Sequence, residues 1–567
     1  METFKAYDKK FLLSKINYML KDENLLLLVG NSDKYTIYKD ENFFSSNFIK
    51  EYITALFRGN YIKLNKEFFH RALLEHINSY LKSYNFIKDI EVYSKILAKE
   101  KAVALSNNYD MKRDKFSTRE DIEVALEIYQ LLDKLNRERA FTRDIYKNLL
   151  KICVFESILI LEKIDGYVEE NLLNKFYRYF NYGCKLIYNT LSETEKSLLN
   201  IYRNKTKIKK EKKVCFFVVT VYHLVTSIIL CKTIYKDYNK ILVISDSHKS
   251  LAITYDKVKD TKIFNDIIYL KENQDYERYS FNDVDRITGD IEIFHFFTWC
   301  SYMSMRIFEF IDNDIKIILT DEGLATYSIK EGLEVWIENY GQNRGAPFDL
   351  YRIDEILLYN KDIYIGEFKN PPVNEINTHY LRDKTLFEEL INDINYIFNY
   401  KEEEDNNVIF FDQYLSLVNV LSAKEEREIL EAISELSEIY PIVVKKHTLE
   451  RLNKYSDLKF KLCKYGDIPW EVIALNSINK GKKKTYISYV STCMLTDFML
   501  LKNFDANNNY IFLYKILEKY TNIFKNTTFE KLLTTIEKKY NVRFYVPKDF
   551  EELKEIFKVL INENIYR

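Results

Sequence analysis

Ile315-Lys316-Ile317-Ile318-Leu319-Thr320-Asp321-Glu322-Gly323-Leu324-Ala325-Thr326-Tyr327 decides how the chain is read. A short apolar run leads into two adjacent carboxylates and a glycine. The run predicts a buried strand, and the acids fall where an open α/β sheet binds ligands, at the carboxyl end of its strands. Glycine is scarce, with 12 in 567 residues, about 2% against a usual ~7%. A glycine kept beside two acids points to a sharp turn or a close backbone approach. An ordinary strand-to-loop turn with solvated acids is the bland alternative.

The same pattern recurs on both sides. Val214 to Val219, Ile241 to Asp246, Ile267 to Leu270, Ile291 to His295 and Glu355 to Tyr359 read as strands. Helical stretches such as Leu224 to Tyr235 and Tyr302 to Phe310 alternate with them. That is the rhythm of a doubly wound parallel sheet. After the acidic break at 401–407 a second series begins with Val408 to Phe411. It continues through a helix from Ala423 to Tyr440, an apolar run into Lys445-Lys446-His447, and a strand from Thr485 to Val490 ending at Ser491-Thr492. The tail from Asn509 reads as helical. The predicted domains are a mainly helical accessory module at 1–210, a Rossmann-like domain at 213–400, and a second Rossmann-like domain with a helical tail at 408–567. Within the module, Leu25 to Tyr38 reads as a hairpin. Ser117-Thr118-Arg119-Glu120 reads as a capping box opening an amphipathic helix.

Composition narrows the functional class. Lys+Arg number 84 and Asp+Glu 85, for a net charge of -1, which carries no nucleic-acid signature. The 46 tyrosines and 38 phenylalanines, with abundant Ile, Lys and Asn, read as the codon usage of an AT-rich bacterial genome. Seven cysteines lack C-x-x-C spacing, and most lie in apolar runs, so buried free thiols are expected. No apolar run reaches the ~18 residues of a spanning helix. A cytoplasmic protein is expected, with room for peripheral contact at the inner face of the membrane. The basic stretch from Lys205 to Lys213 is read as a solvated linker. No two histidines stand at ligand spacing, so no metal is expected. Asp283-Val284-Asp285 resembles a metal-nucleotide string but reads as a solvated loop.

Three strand-end motifs remain in chain order: Asp321-Glu322-Gly323, Lys446-His447 and Ser491-Thr492. A carboxylate can take the proton of an acceptor hydroxyl, and an imidazole can serve a departing phosphate near neutral pH. Hydroxyls and amides at a helix start, as read for Ser491-Thr492, can hold that phosphate. His223 after Tyr222 reads either as a substrate contact or as a cap. His295 reads as core-edge.

Two such units suggest the GT-B architecture, an α/β fold of two facing Rossmann-like domains, here with the helical module added. From about Lys213 to Phe498 the motifs resemble bacterial sialyltransferases of glycosyltransferase family 52 and related lipooligosaccharide and capsule enzymes. The opening strand with Tyr222-His223, Asp321-Glu322-Gly323, Lys446-His447, Pro469-Trp470-Glu471 and Ser488 to Thr492 carry the resemblance. It implies inverting, metal-independent transfer from CMP-sialic acid to a surface glycan, without a further cofactor. Asp321 would be the base, with Glu322 its close alternative. His447 would serve the leaving group. Gly323, Lys446, Pro469, Glu471, Ser491 and Thr492 would lie at the donor, and Tyr222 and His223 at the acceptor. Thr448 stands where the family has proline, which would have fixed the loop's φ. A polymer transferase using CDP-glycerol and a catalytically decayed glycan-binding or partner-binding scaffold remain open, and a homodimer is compatible with either.

Overall fold

The computed structural model describes residues 2–5, 27–31 and 34–38 and, with interruptions of which 329–352 is the longest, residues 118–565. The chain divides into two compact units. One holds residues 1–210, 275–290 and 310–312, and the other holds 211–274, 291–309 and 313–567.

In the first unit, β1 (Glu2–Lys5), β2 (Leu27–Asn31) and β3 (Lys34–Tyr38) form an antiparallel sheet in the order β1-β3-β2. The β2–β3 pair is the hairpin expected around Gly30. Helices follow at Thr118–Arg137, Arg143–Leu161, Glu170–Ile187 and Glu193–Lys205. The expected amphipathic segment is the first of these. The string Asp283-Val284-Asp285, expected in a loop, lies instead in a helix, Phe281–Thr288, which belongs to this unit. Ser280 caps it through the Asp283 amide, and Asp283 bonds back to Ser280, a reciprocal pair that satisfies two orphan amides. Asp285 pairs with Arg178 at 2.6 Å, and Asp133 accepts the Phe281 amide at 3.1 Å. Phe281 stacks on Tyr182 with ring centroids 4.8 Å apart. Polarity alone hid the helix, because its two acids are spent on capping and pairing.

The second unit carries two wholly parallel sheets. The first comprises β4 (Lys213–Val218), β5 (Asn239–Ser245), β6 (Asp266–Leu270), β7 (Ile293–Phe296), β8 (Lys316–Thr320), β9 (Glu355–Leu358) and β10 (Val373–Glu375). Their order is β10-β9-β8-β7-β4-β5-β6. Counted from β4, that is the doubly wound order 3-2-1-4-5-6 with a seventh strand at the edge. Val214 to Val218 are at most 1% exposed, as expected of a strand covered on both faces.

The second sheet comprises β11 (Val408–Phe411), β12 (Val443–Lys445), β13 (Lys461–Leu462), β14 (Thr485–Ser488), β15 (Asn509–Phe512) and β16 (Phe544–Tyr545). Its order, β13-β12-β11-β14-β15-β16, is again 3-2-1-4-5-6. The two-Rossmann α/β architecture is therefore present. The tail is corrected. Asn509 onward is not wholly helical, because Tyr510, Ile511 and Phe512 form a buried strand beside β14. A four-residue apolar run carries no period that separates strand from helix.

Beneath the carboxyl edge of the second sheet, Lys454 lies 2.8 Å from Asp412 and 2.8 Å from Glu426. Both acids are nearly inaccessible, at 3% and 2% exposure. Burial raises the Asp412 pKa, and Lys454 opposes that shift. Lys454→Met would leave two carboxylates buried without their cation. Urea unfolding should show a loss of about 3–5 kcal/mol at neutral pH. The loss should shrink at acid pH, where the carboxyls are protonated. An unchanged midpoint at pH 7 would contradict the assigned pairing.

Candidate functional site

Four neighbouring strands of the first sheet, β4, β7, β8 and β9, lead into polar residues, Thr220, Thr298, Asp321 and Asn360, around the switch in strand order. After β8, the chain extends through Asp321, whose amide donates to Leu357 O at 2.9 Å, and then turns. Asp321 is fully buried. Its Oδ1 accepts from the Tyr222 hydroxyl at 3.0 Å and the Gly323 amide at 2.8 Å. Its Oδ2 accepts from the Tyr327 hydroxyl at 2.5 Å and the Tyr359 amide at 3.2 Å. Four donors thus use the four acceptor directions of one carboxylate. Burial still outweighs them and raises the pKa to about 6.

Glu322 is half-buried. Burial raises its pKa to about 7; a hydrogen bond with Thr298 opposes the shift, and the Asp321 charge adds to it. The two acids are therefore unlike: one is saturated and enclosed, the other is partly open and titrates near neutrality. Thr298, just past β7, escaped the sequence reading, and nothing in its local pattern marked it.

Gly323 explains why glycine is kept. Its φ of 108° lies in a region L side chains rarely adopt. A Cβ there would stand 2.7 Å from Thr492 Cγ2. Both readings of the glycine hold, the sharp turn and the close approach. The neighbour it approaches is the Ser491-Thr492 motif of the other sheet, so these two carboxyl edges meet. Tyr222, which bonds Asp321, has its hydroxyl pKa raised by burial first and also by the charges of Asp321 and Glu471.

On the second sheet, Ser491 follows β14 and accepts the Cys493 amide at 3.3 Å. The element it opens is a single 3-10 turn, Thr492–Leu495, not the α-helix expected there. Pro469 is the N-cap residue of a helix, Trp470–Ser477, and Glu471 lies buried in its first turn, with its pKa raised by burial. Lys445 is buried and donates to the Gly466 carbonyl; burial lowers its pKa. Lys446 lies over the Tyr455 ring, 5.5 Å from its centroid. His447 packs against Tyr414 with ring centroids 4.2 Å apart. It stands at the end of β12, separated from β14 only by β11. At ~4.8 Å per strand, that separates the two strands by roughly 10 Å. Gln413, between them, accepts the Val490 amide at 3.2 Å.

For His223 the sequence left substrate contact and capping open; the structure gives it a cap. It is 1% exposed, its Nδ1 accepts the Val219 and Thr220 amides at 3.2 Å each, and its ring stacks on Phe297. His295 is fully buried in the core between Thr320 Oγ1 at 2.8 Å and Tyr235 at 2.7 Å. Burial lowers its pKa to about 3. Among the described residues, no cluster of His, Cys, Asp and Glu could hold a metal ion, and no helix is long and apolar enough to cross a membrane.

No protein-family model matches the chain, and no curated protein matches it. Among solved structures, the wall teichoic acid polymerase TagF is similar over 70% of this chain and 91% of its own. The identity is 13% and the TM-score 0.37, a likeness too loose to bear on function.

Gly323→Ala should cost about 1–3 kcal/mol from its backbone conformation alone. The clash with Thr492 adds to that cost, and Thr492→Ser, which removes the blocking methyl, should restore the added part. Full additivity in chemical denaturation would show that the two edges do not touch. The acids make a second prediction. Both folded pKa values, about 6 and about 7, exceed the ordinary 3.8 and 4.5. The folded state therefore binds these protons more tightly than the unfolded chain. Their stabilising contribution is full below about pH 4 and is lost as pH rises through 7. Glu322→Gln should flatten that decline, measured by thermal melts across pH 4 to 8.

Proposed function

We infer that the protein is an inverting glycosyltransferase that uses a nucleotide-activated donor, with a CMP-activated nonulosonate such as CMP-sialic acid as the first candidate. The single observation that supports this reading is the contact of Gly323 with Thr492. It brings an acid-bearing strand end of one Rossmann sheet against the hydroxyl-bearing strand end of the other. The CMP donor itself rests on the motif resemblance, as does a surface-glycan acceptor.

Glu322 is the better base of the two acids. It is half-buried and has a pKa of about 7, so about half of it is ionised at pH 7 and most of it at pH 8, and it is basic enough to take a proton. Asp321 already accepts four hydrogen bonds and would have to surrender one to serve. In this reading Glu322 removes the acceptor hydroxyl proton as that oxygen bonds to the anomeric carbon. The bond from that carbon to the phosphate oxygen breaks, and the nucleotide monophosphate departs from the opposite face. Ser491 and Thr492 would donate hydrogen bonds to the phosphate. His447 would donate a hydrogen bond or a proton to the same group, and Tyr222 borders the acceptor side through Asp321.

The test is a donor-turnover panel with CMP-sialic acid, CDP-glycerol and UDP-sugars. CMP release from CMP-sialic acid alone is expected. Turnover of CDP-glycerol alone would overturn the donor assignment, and binding without turnover of any donor would favour the scaffold reading. Glu322→Gln should lower kcat by about 10²–10⁴-fold while the donor-induced shift in Tm persists. Wild-type turnover in that variant would remove Glu322 from the base role. His447→Ala should lower kcat, and an unchanged value would remove the histidine from the mechanism.

A further inference from the structure

Asn360, just past β9, is fully buried and faces both sheets of the second unit. Its backbone amide donates to the Tyr327 hydroxyl at 3.2 Å, and that hydroxyl donates to Asp321 at 2.5 Å. The preceding amide, of Tyr359, bonds Asp321 directly. The Asn360 side-chain Nδ2 donates to the Phe498 carbonyl at 2.6 Å and to the Tyr540 hydroxyl. Two amide hydrogens thus meet two acceptors, both from the second Rossmann domain. Phe498 follows the Ser491–Leu495 turn, and its ring packs on Tyr540, Tyr510 and Phe544. Tyr540 closes the helix Thr527–Tyr540.

We propose that Asn360 is a positioning residue that ties the orientation of the second Rossmann domain to the loop presenting Glu322. Through its backbone it holds Tyr327, and Tyr327 holds Asp321, the residue next to Glu322. Through its side chain it holds the backbone just beyond the donor-side turn. A shift of one sheet against the other must therefore break these bonds or carry the acid loop with it. A second link joins neighbouring elements without entering this chain of bonds. Lys539 pairs with Asp362 at 2.7 Å, with both side chains nearly half-exposed. It provides a control for attachment alone.

The proposal rests on the transferase reading for its kinetic arm but not for its structural arm. In hydrogen exchange of the full chain without substrate, Asn360→Ala should speed exchange of amides at 321–327 and at 495–500 together. Lys539→Ala should alter neither. Faster exchange at 495–500 with 321–327 unchanged would overturn the coupling, whatever the reaction proves to be. With the donor that the wild type turns over, Asn360→Ala should lower kcat about tenfold or more and leave donor KM within about twofold, and the acid limb of the kcat/KM profile should move. Equal loss in kcat and affinity with an unmoved profile would show a merely structural role. Tyr540→Phe removes one acceptor and keeps the ring, so it should give a smaller effect of the same pattern if Asn360→Ala folds poorly. Wild-type exchange and kinetics in Tyr540→Phe would count against the proposal.

Discussion

Four donors converge on the Asp321 carboxylate: two tyrosine hydroxyls and two backbone amides. They come from the first turn of the helix that follows β4, from just past β8 and β9, and from the short helix between those two. A buried carboxylate is costly, and hydrogen bonds to its charged form are what make it tolerable. Here they also fix the loop. Once Asp321 is pinned, the chain can leave the strand only through the unusual φ of Gly323, and that turn places the Gly323 backbone against Thr492. The meeting of the two carboxyl edges at this point follows from satisfying one acid.

The two adjacent acids show how environment divides labour between like groups. Asp321 is enclosed and saturated; Glu322 is half-buried, and its carboxylate bonds Thr298. Each is held above its ordinary pKa mainly by burial, and Glu322 is raised further by its neighbour's charge. Like charges in one enclosure push their titrations apart. The open member is left with a proton affinity suited to chemistry near neutrality.

Much of the fold was legible because parallel strands covered on both faces leave continuous apolar runs. Val214 to Val219, Ile315 to Thr320 and Val408 to Phe411 read as strands for that reason. What escaped were elements without a period. Asn509–Phe512 was too short to tell from a helix. Phe281–Thr288 looked like a polar loop because its acids serve a cap and an ion pair. Within the site, Asp321, Glu322, Gly323 and the Ser491-Thr492 motif were visible from their strand-end positions. Thr298 and Asn360 were not. Their roles depend on which strands lie side by side, and strand order is not written in any local pattern.

The scarcity of glycine gives that reading its force. In a chain with 12 glycines, a position that keeps one is informative about backbone geometry rather than composition. Gly323 meets two separate demands, a φ of 108° and a gap too small for a methyl group. Either could be satisfied by relaxing the loop if Asp321 were free to move. Because four bonds hold Asp321 and one Asn360 side chain joins that framework to the second sheet, neither relaxation is open. The constraint on the glycine is thus inherited from the hydrogen-bond chain Phe498–Asn360–Tyr327–Asp321. The same chain makes the position of Glu322 a property of both sheets rather than of its own loop.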